Sequence, residues 1–283
     1  MAPPSGFIPK QAKPLLEGRN KVTTYEATGD PVTSQFASHN LTLIPAIPPN
    51  SIIHDNACGS GTVSKLLLSQ TPPLTNLTIH ATDIDQVFLD TLSASIQTHS
   101  WPITTSNQKS ESLSFPDNFF THSITNIGII FCTSAGLDGA KEIYRTLQPG
   151  GLAIVNCWEH ITWFLPIMMV SKTLRPGTPP PPPVVNWNDG TQLKKVMLEA
   201  GFEEGKMRVE KSEAWAKTRD VRRWAELAWA FLGGMAGWRE SDEERWEEGI
   251  DMLEKLLKGS EGTKVVDGET WMRASQWVVV AEK

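Results

Sequence analysis

A short glycine-containing turn carries the clearest chemistry in this sequence of 283 residues. An apolar run ends in Asp55, and the residues CGSGT at 58–62 lead from it into a second apolar stretch. Gly59 and Gly61 have no side chain that would block a ligand. Free N–H groups at the start of a helix can receive polar or anionic ligand atoms. The pattern therefore predicts a strand, a tight turn and a helix that approach a ligand closely.

Two common phosphate-binding motifs do not fit this turn. No lysine follows in the GxxxxGK(S/T) spacing, which argues against a P-loop. The dinucleotide pattern GxGxxG also fails, because Ser64 stands where the last glycine belongs. The turn therefore matches neither the P-loop nor the dinucleotide-binding pattern.

A second strand ends in an acidic residue. The run LTIHAT at 77–82 is rich in β-branched residues and leads into Asp83-Ile84-Asp85. A carboxylate at the end of a second strand can accept hydrogen bonds from both hydroxyls of a ribose, and Ile84 can pack on an adenine ring. Alternatively, Asp83 only caps the helix predicted over 86–97.

These segments resemble motif I of the class I S-adenosylmethionine-dependent methyltransferases, an acidic residue followed by GxGxG. Ala57 replaces the first glycine, and its small side chain predicts a slightly altered turn with the site retained. Three further segments resemble family landmarks in the same order: LSFPDNFF at 113–120, QPGG at 148–151 before an apolar strand, and EAGF at 199–202. The resemblance implies an α/β fold with a Rossmann-like, seven-stranded sheet and a helical lid. It also implies S-adenosyl-L-methionine as cofactor and S-adenosyl-L-homocysteine as product.

The resemblance also implies which residues contact the cofactor. They are Asp55, Ala57, Gly59, Gly61, Asp83, Ile84, Asn126 and Ile127. The family often has an acidic residue for the adenine amino group, and here that register falls on Lys109 and Ser110, with Glu111 next. Adenine contact by Ser110 or Glu111 therefore stays open beside contact by backbone groups. Tyr25, in the polar segment before the first strand, either touches the cofactor or anchors that segment to the core.

Composition narrows the partners. The net charge of −6 and a pI of about 5.6, without a basic cluster, disfavour nucleic acid, which needs phosphate neutralisation. Three cysteines form no disulfide framework, and no His/Cys cluster suggests a metal. No signal peptide or long apolar run is visible, so we expect a cytoplasmic protein without a membrane partner. The sequence leaves the oligomeric state open.

The chain is organised as one methyltransferase domain, residues 21–283, behind a flexible N-terminus, residues 1–20. Residues 21–48 are predicted as an N-terminal lid, and residues 219–258 as a helical insertion that completes it. The run Pro179–Pro183 is stiff polyproline and reads as a rigid surface connection.

The acceptor side is predicted just after strand five. In open parallel sheets, ligands bind at the carboxyl ends of the strands, which makes Trp158 and Trp163 candidate walls of an aromatic substrate pocket. His160 is the best-placed general base, with a structural hydrogen bond as the alternative role.

Some segments narrow the resemblance further. IHDNACGSGTVS, FPDNFFTHSITNIGI and NCWEHITW look like the methyltransferases of fungal secondary-metabolite clusters, including those that methylate thiols or nitrogens of gliotoxin-type compounds. This implies a small, apolar natural product as substrate, with sulfur as the first acceptor atom and nitrogen or oxygen as alternatives. A non-catalytic regulator that binds the cofactor, or an enzyme for a pericyclic step, stays open.

Overall fold

A computed structural model of the protein describes residues 6–177 and 185–283. The proline run at 179–183 lies outside the described residues. The described chain forms two compact units. We call residues 33–159, 185–213 and 275–283 the sheet unit, and residues 6–32, 160–177 and 214–274 the helical unit.

The helices of the described chain are α1 Lys13–Leu16, α2 Arg19–Glu26, α3 Asp30–Leu41, α4 Thr62–Leu68, α5 Gln86–His99, α6 Leu137–Thr146, α7 Phe164–Leu174, α8 Thr191–Ala200, α9 Val221–Leu232, α10 Glu240–Glu244 and α11 Trp246–Gly259. The strands are β1 Ile52–Asn56, β2 Thr78–Asp83, β3 Ile103–Asn107, β4 Phe120–Asn126, β5 Leu147–Ile161, β6 Met207–Thr218, β7 Thr263–Val266 and β8 Glu269–Glu282. The division between the two units falls inside β5, β6 and β8.

The strands form one sheet in the order β3-β2-β1-β4-β5-β8-β6, with β7 paired to β8. The neighbours from β3 to β5 pair in parallel. Parallel neighbours need crossover connections, which α4, α5 and α6 supply. The predicted Rossmann-like α/β fold is confirmed.

The strand count differs from the prediction, because the described chain has eight strands and not seven. The additional strand, β7, pairs antiparallel with the start of β8. Asp267 and Gly268 join them with positive φ angles of 50° and 74°, as a two-residue hairpin turn requires.

Strand five is longer than predicted at both ends. The QPGG segment at 148–151, predicted as a turn, lies inside β5, where Gly150 has a φ of 78°. Gly150 N–H donates to the Lys283 carbonyl at 2.9 Å. Trp158 and His160 consequently lie within β5 and do not follow it.

The core of the sheet unit has two faces. Ile154 belongs to the cluster that α4 and α5 cover, whereas its neighbours Ala153 and Val155 belong to the cluster that α6 and α8 cover. Side chains alternate between the two faces of a strand. The sheet is therefore packed on both sides.

The helical unit contains the predicted insertion at 219–258 as α9, α10 and α11. Arg175 and Asp242 form a buried ion pair there, with the guanidinium Nε 2.9 Å from Oδ1. The predicted N-terminal lid at 21–48 is divided between the two units. Closure of these segments over a cofactor, and the flexibility of residues 1–20, stay predictions. No helix of the described residues is long and apolar enough to cross a membrane.

Candidate functional site

The glycine turn connects β1 to α4 at the carboxyl edge of the sheet. Gly59 and Gly61 have φ angles of 54° and 86°, values that favour glycine. Cys58 N–H donates to the Thr82 carbonyl at 2.9 Å, which ties the turn to the end of β2.

The two glycines serve different purposes. A Cβ on Gly61 would lie 2.6 Å from Leu92 Cδ1, so this glycine allows α5 to pack against the turn. A Cβ on Gly59 would meet only Phe88 Cδ1, at 3.8 Å. Gly59 is thus the less crowded of the two glycines, because an added Cβ would make only an ordinary van der Waals contact there.

Asp83 joins the turn to the start of α5. Its Oδ2 accepts the Gly59 N–H at 2.8 Å, and its Oδ1 accepts the Asp85 N–H at 2.8 Å. Burial raises the pKa of this carboxyl, and the two backbone hydrogen bonds oppose the rise. Asp85, and not Asp83, caps α5 by accepting the Val87 N–H at 3.1 Å. The capping alternative for Asp83 is therefore wrong.

Asp55 is buried beneath the turn. Its Oδ2 accepts both the N–H and the hydroxyl of Ser64, at 3.0 and 2.6 Å. Burial raises the pKa of Asp55 to about 7, against the effect of these hydrogen bonds. The observed role of Asp55 is to hold the first turn of α4, and direct contact with a cofactor stays a prediction.

The end of β4 forms a second, strained part of the site. Ile127 has a φ of 68° and Ala57 a φ of 54°, and such values are uncommon for residues with a side chain. A Cβ on Gly128 would stand 2.5 Å from Ala57 Cβ. Residues 126–128, which we call the β4 corner, therefore lie directly against the glycine turn.

The candidate adenine residues lie on the same edge. The Ile84 side chain is 64% exposed beside Asp83, and Asn107 Nδ2 donates to the Ile84 carbonyl at 2.9 Å. Burial and the charge of Glu111 raise the pKa of the Cys132 thiol to about 12, while a hydrogen bond with Ser110 opposes them. Ser110 and Glu111 thus lie near Cys132, which follows the β4 corner.

His160 has one ring nitrogen with a defined partner. Its Nε2 lies 3.3 Å from Thr162 Oγ1, and that hydroxyl donates to the Arg273 carbonyl at 2.7 Å. A hydroxyl has one proton, so Thr162 receives the hydrogen bond from His160. This favours the Nε2–H tautomer and leaves Nδ1 as the basic nitrogen.

The predicted aromatic residues pack within their own units. In the sheet unit, Trp158 contacts Phe36 edge to face at 5.6 Å. In the helical unit, Trp163 is buried against Trp224 at 5.4 Å. Tyr25, also in the helical unit, lies 5.6 Å from the Phe231 ring. Substrate contact by the two tryptophans and cofactor contact by Tyr25 stay predictions.

Three buried amides were not among the predicted site residues: Asn40, Asn156 and Gln276. Asn156 Oδ1 accepts the Ile127 N–H at 2.9 Å and so holds the β4 corner. The available signal was an amide inside an apolar strand, in LAIVNCW and in ASQWVVV. No group of three potential metal ligands occurs among the residues that the structure describes.

Residues 53–151 match the family model described as a methyltransferase domain. A putative methyltransferase from Bacillus halodurans has a similar structure, with a TM-score of 0.55 and 17% identity over 87% of this chain and 98% of that chain. A second similar structure is phosphoethanolamine N-methyltransferase 2 from Haemonchus contortus, solved with phosphomonomethylethanolamine and S-adenosylhomocysteine. Its TM-score is 0.57, with 15% identity over 97% of this chain and 60% of that chain. The [4+2]-cyclase SpnF has a TM-score of 0.51 and 15% identity over 88% of this chain and 80% of that chain.

At these identities the structural likeness concerns the fold. The family model covers residues 53–151, and the domain bounds predicted from the sequence, 21–283, stay a prediction.

Proposed function

We propose that this protein transfers a methyl group from S-adenosylmethionine to a small, apolar molecule. The matched methyltransferase domain supports the reaction class. The observation that carries the proposal is the hydrogen bond between Asp83 and the Gly59 N–H, at 2.8 Å. It places a carboxylate beside the glycine of the turn at which an added Cβ would make only an ordinary van der Waals contact, with Phe88 at 3.8 Å.

The residues at the turn fit this cofactor. A carboxylate has about four acceptor positions, and Asp83 uses one on each oxygen for the backbone. Each oxygen can still accept one hydroxyl of a ribose. The exposed Ile84 offers an apolar surface for adenine, and Ser110 and Glu111 are the candidates for its amino group.

The protein's contribution to the reaction is alignment and exclusion of water. When bound, S-adenosylmethionine supplies an electrophilic methyl group; the acceptor atom gains that methyl group and loses its proton, and S-adenosylhomocysteine leaves. His160 would take the acceptor proton at Nδ1, because Thr162 holds Nε2 as a donor. Thr162 acts as a positioning residue for this base.

The acceptor that we favour is a thiol of a fungal-type secondary metabolite, with nitrogen or oxygen as alternatives. A thiol with a pKa of about 8.5 provides some thiolate at neutral pH, whereas a phenol with a pKa of about 10 depends on a base far more. The acidic balance of the chain supports a small-molecule substrate over nucleic acid.

Cofactor binding is tested by calorimetric titration of Asp83→Ala. Loss of the ribose hydrogen bonds and of the Gly59 contact should weaken S-adenosylmethionine by about 1–3 kcal/mol. Asp85→Ala is the matched control: it removes the cap of α5, which costs about 1 kcal/mol of stability, and should leave the affinity unchanged. Wild-type affinity in Asp83→Ala would remove Asp83 from the site.

The acceptor is tested with isotope-labelled cofactor and a panel of dithiol, amide and phenol compounds. His160→Gln should lower the rate strongly for a phenol and weakly for a thiol. Thr162→Val should shift the pH–rate profile, while Thr162→Ser should preserve it. Methylation of phenols alone, in a His160-dependent way, would replace the sulfur assignment by oxygen.

A second candidate is a cyclisation that uses the same fold, which the likeness to SpnF favours. Product mass separates the two functions, because each methyl transfer adds one CH₂ and an isomerisation adds nothing.

A further inference from the structure

A closed ring of hydrogen bonds joins α3 to three strands inside the sheet unit. Asn126 Nδ2 donates to the Thr33 carbonyl at 3.0 Å, and Asn126 Oδ1 accepts from Asn156 Nδ2 at 2.9 Å. Asn156 Nδ2 also donates to Gln276 Oε1. Gln276 Nε2 then donates to Asn40 Oδ1 at 2.7 Å. Because Thr33 and Asn40 both lie on α3, the ring closes through that helix.

Two backbone groups fix the direction of the ring. The Ile127 N–H can only donate, so the oxygen of Asn156 must face it, at 2.9 Å. The NH₂ group of Asn156 must then face the oxygen of Asn126. The NH₂ group of Asn126 in turn faces the Thr33 carbonyl, which can only accept. Rotating the Asn156 amide by 180° would set oxygen against oxygen and N–H against N–H, so a single arrangement satisfies every group.

Three amides of the ring are buried, and their polar atoms have hydrogen-bond partners. Asn156 and Gln276 are 0% exposed, and Asn40 is 1% exposed. Gln276 donates to both Asn40 and Ser212 at 2.7 Å and accepts from Asn156 and Asn40. Fully satisfied buried polar networks are rigid and specify one geometry.

The geometry that the ring specifies is strained. Ile127 is β-branched and has a φ of 68°, a conformation that costs about 1–3 kcal/mol and persists only where surrounding groups determine it. The Asn156 oxygen supplies that determinant through the Ile127 N–H. Gly128 follows and lies against Ala57 of the glycine turn.

We propose that Asn156 is a positioning residue whose amide ring holds the β4 corner and residues 33–40 of α3 as a preformed wall of the cofactor site. This rests on the proposed function, since the wall borders the turn assigned to S-adenosylmethionine. Asn156 itself is buried behind the corner and acts through Ile127 and Asn126.

The first test is hydrogen exchange in the protein without cofactor. Asn156→Asp replaces both donors with an acceptor that faces the oxygens of Asn126 and Gln276. We expect the Ile127 amide to exchange at least tenfold faster, while amides of β1 keep their protection. Gln276→Met interrupts the ring at a residue that does not contact the corner. It should give an Ile127 exchange rate between those of the wild type and Asn156→Asp. Unchanged exchange at Ile127 in Asn156→Asp would overturn the ring's role.

The second test is calorimetric affinity for S-adenosylmethionine. Asn156→Asp should weaken binding by about tenfold, the equivalent of one lost hydrogen bond, and should raise KM for the cofactor more than it lowers kcat. Thr146→Val is the control. It removes a buried hydroxyl at the end of α6 that donates to the Glu142 carbonyl at 2.7 Å. That variant should lose stability and keep its affinity.

The outcomes are distinguishable. A wild-type protein that does not bind S-adenosylmethionine would refute the proposed function and this role with it. A wild-type protein that binds, together with Asn156→Asp and Gln276→Met variants of equal affinity, would overturn the positioning role alone.

Discussion

The contact between Ala57 and Gly128 makes a specific prediction about the altered turn. Ala57 stands where related turns have glycine, and its Cβ fills the space that a side chain at 128 would need. A Cβ on Gly128 would lie 2.5 Å from Ala57 Cβ and 3.1 Å from Thr125 Cγ2. The first distance is too short for two carbon atoms, so Gly128→Ala must displace the β4 corner. Ala57→Gly removes the atom that causes the clash.

The magnitudes follow from these distances. Overpacking of this kind costs about 1–3 kcal/mol, which is our estimate for Gly128→Ala. Ala57→Gly relieves about 1–2 kcal/mol of left-handed backbone strain, and the freer unfolded chain offsets about 0.4–1 kcal/mol of that gain. Alone it should change the stability by about 0–1.6 kcal/mol in the stabilising direction. In the double variant only the Thr125 contact remains, so we expect a coupling of about 1–2 kcal/mol between the two sites.

Urea denaturation of the four proteins at one pH measures this cycle. Gly205→Ala is the control for the effect of an added methyl group, because a Cβ there would have no atom within 4 Å. It should raise the unfolding free energy by no more than about 0.4–1 kcal/mol, because only the unfolded chain becomes less flexible. If the effects of Ala57→Gly and Gly128→Ala add to within about 0.5 kcal/mol, the turn and the corner are not in contact and the reasoning is wrong.

Three other measurements test the structure. Burial lowers the pKa of His54 to about 3, so unfolding binds a proton as pH falls below about 6.5. The stability advantage of the wild type over His54→Gln should therefore shrink by about 2 kcal/mol from pH 7.5 to pH 5, and a pH-independent difference would contradict this. Arg175→Met should cost about 3–5 kcal/mol because it leaves Asp242 buried without its partner, and a melting temperature equal to wild type would contradict this. Binding of S-adenosylmethionine at pH 7 should release protons as Asp55 ionises, which titration in buffers of different ionisation enthalpy detects; equal heats in all buffers would count against it.

The parts of the site that local sequence patterns define were predictable. The strand, turn and helix around Gly59, and the acidic end of β2 at Asp83, each depend on a few adjacent residues. The hydrogen bond from Ser64 to Asp55 lies within one such segment, and the one from Gly59 to Asp83 follows once β1 and β2 pair in parallel. The sequence therefore predicted which edge of the sheet brings these residues together.

Other features depend on residues that are distant in the chain or lie in weak patterns. Asn40 and Gln276 are 236 positions apart, so no spacing connects them before the sheet is assembled. The hairpin of β7 and β8 has a turn signal in Asp267-Gly268, but β7 has only four residues, and one of its two exposed residues is apolar Val265. Gln148 is polar and Pro149 is a residue that rarely lies inside a strand, so the sequence did not indicate the first residues of β5.

The charges at the glycine turn agree with a cationic ligand. Burial raises the pKa of both Asp55 and Asp83, and the charge of Asp83 adds to the rise at Asp55. Burial is the largest cause that raises the pKa of the Cys58 thiol, and the charges of the same two carboxyls add to it. A bound sulfonium would favour the ionised carboxylates, because an opposite charge nearby stabilises the charged form. Methyl transfer removes that positive charge, so the electrostatic attraction weakens once the product has formed.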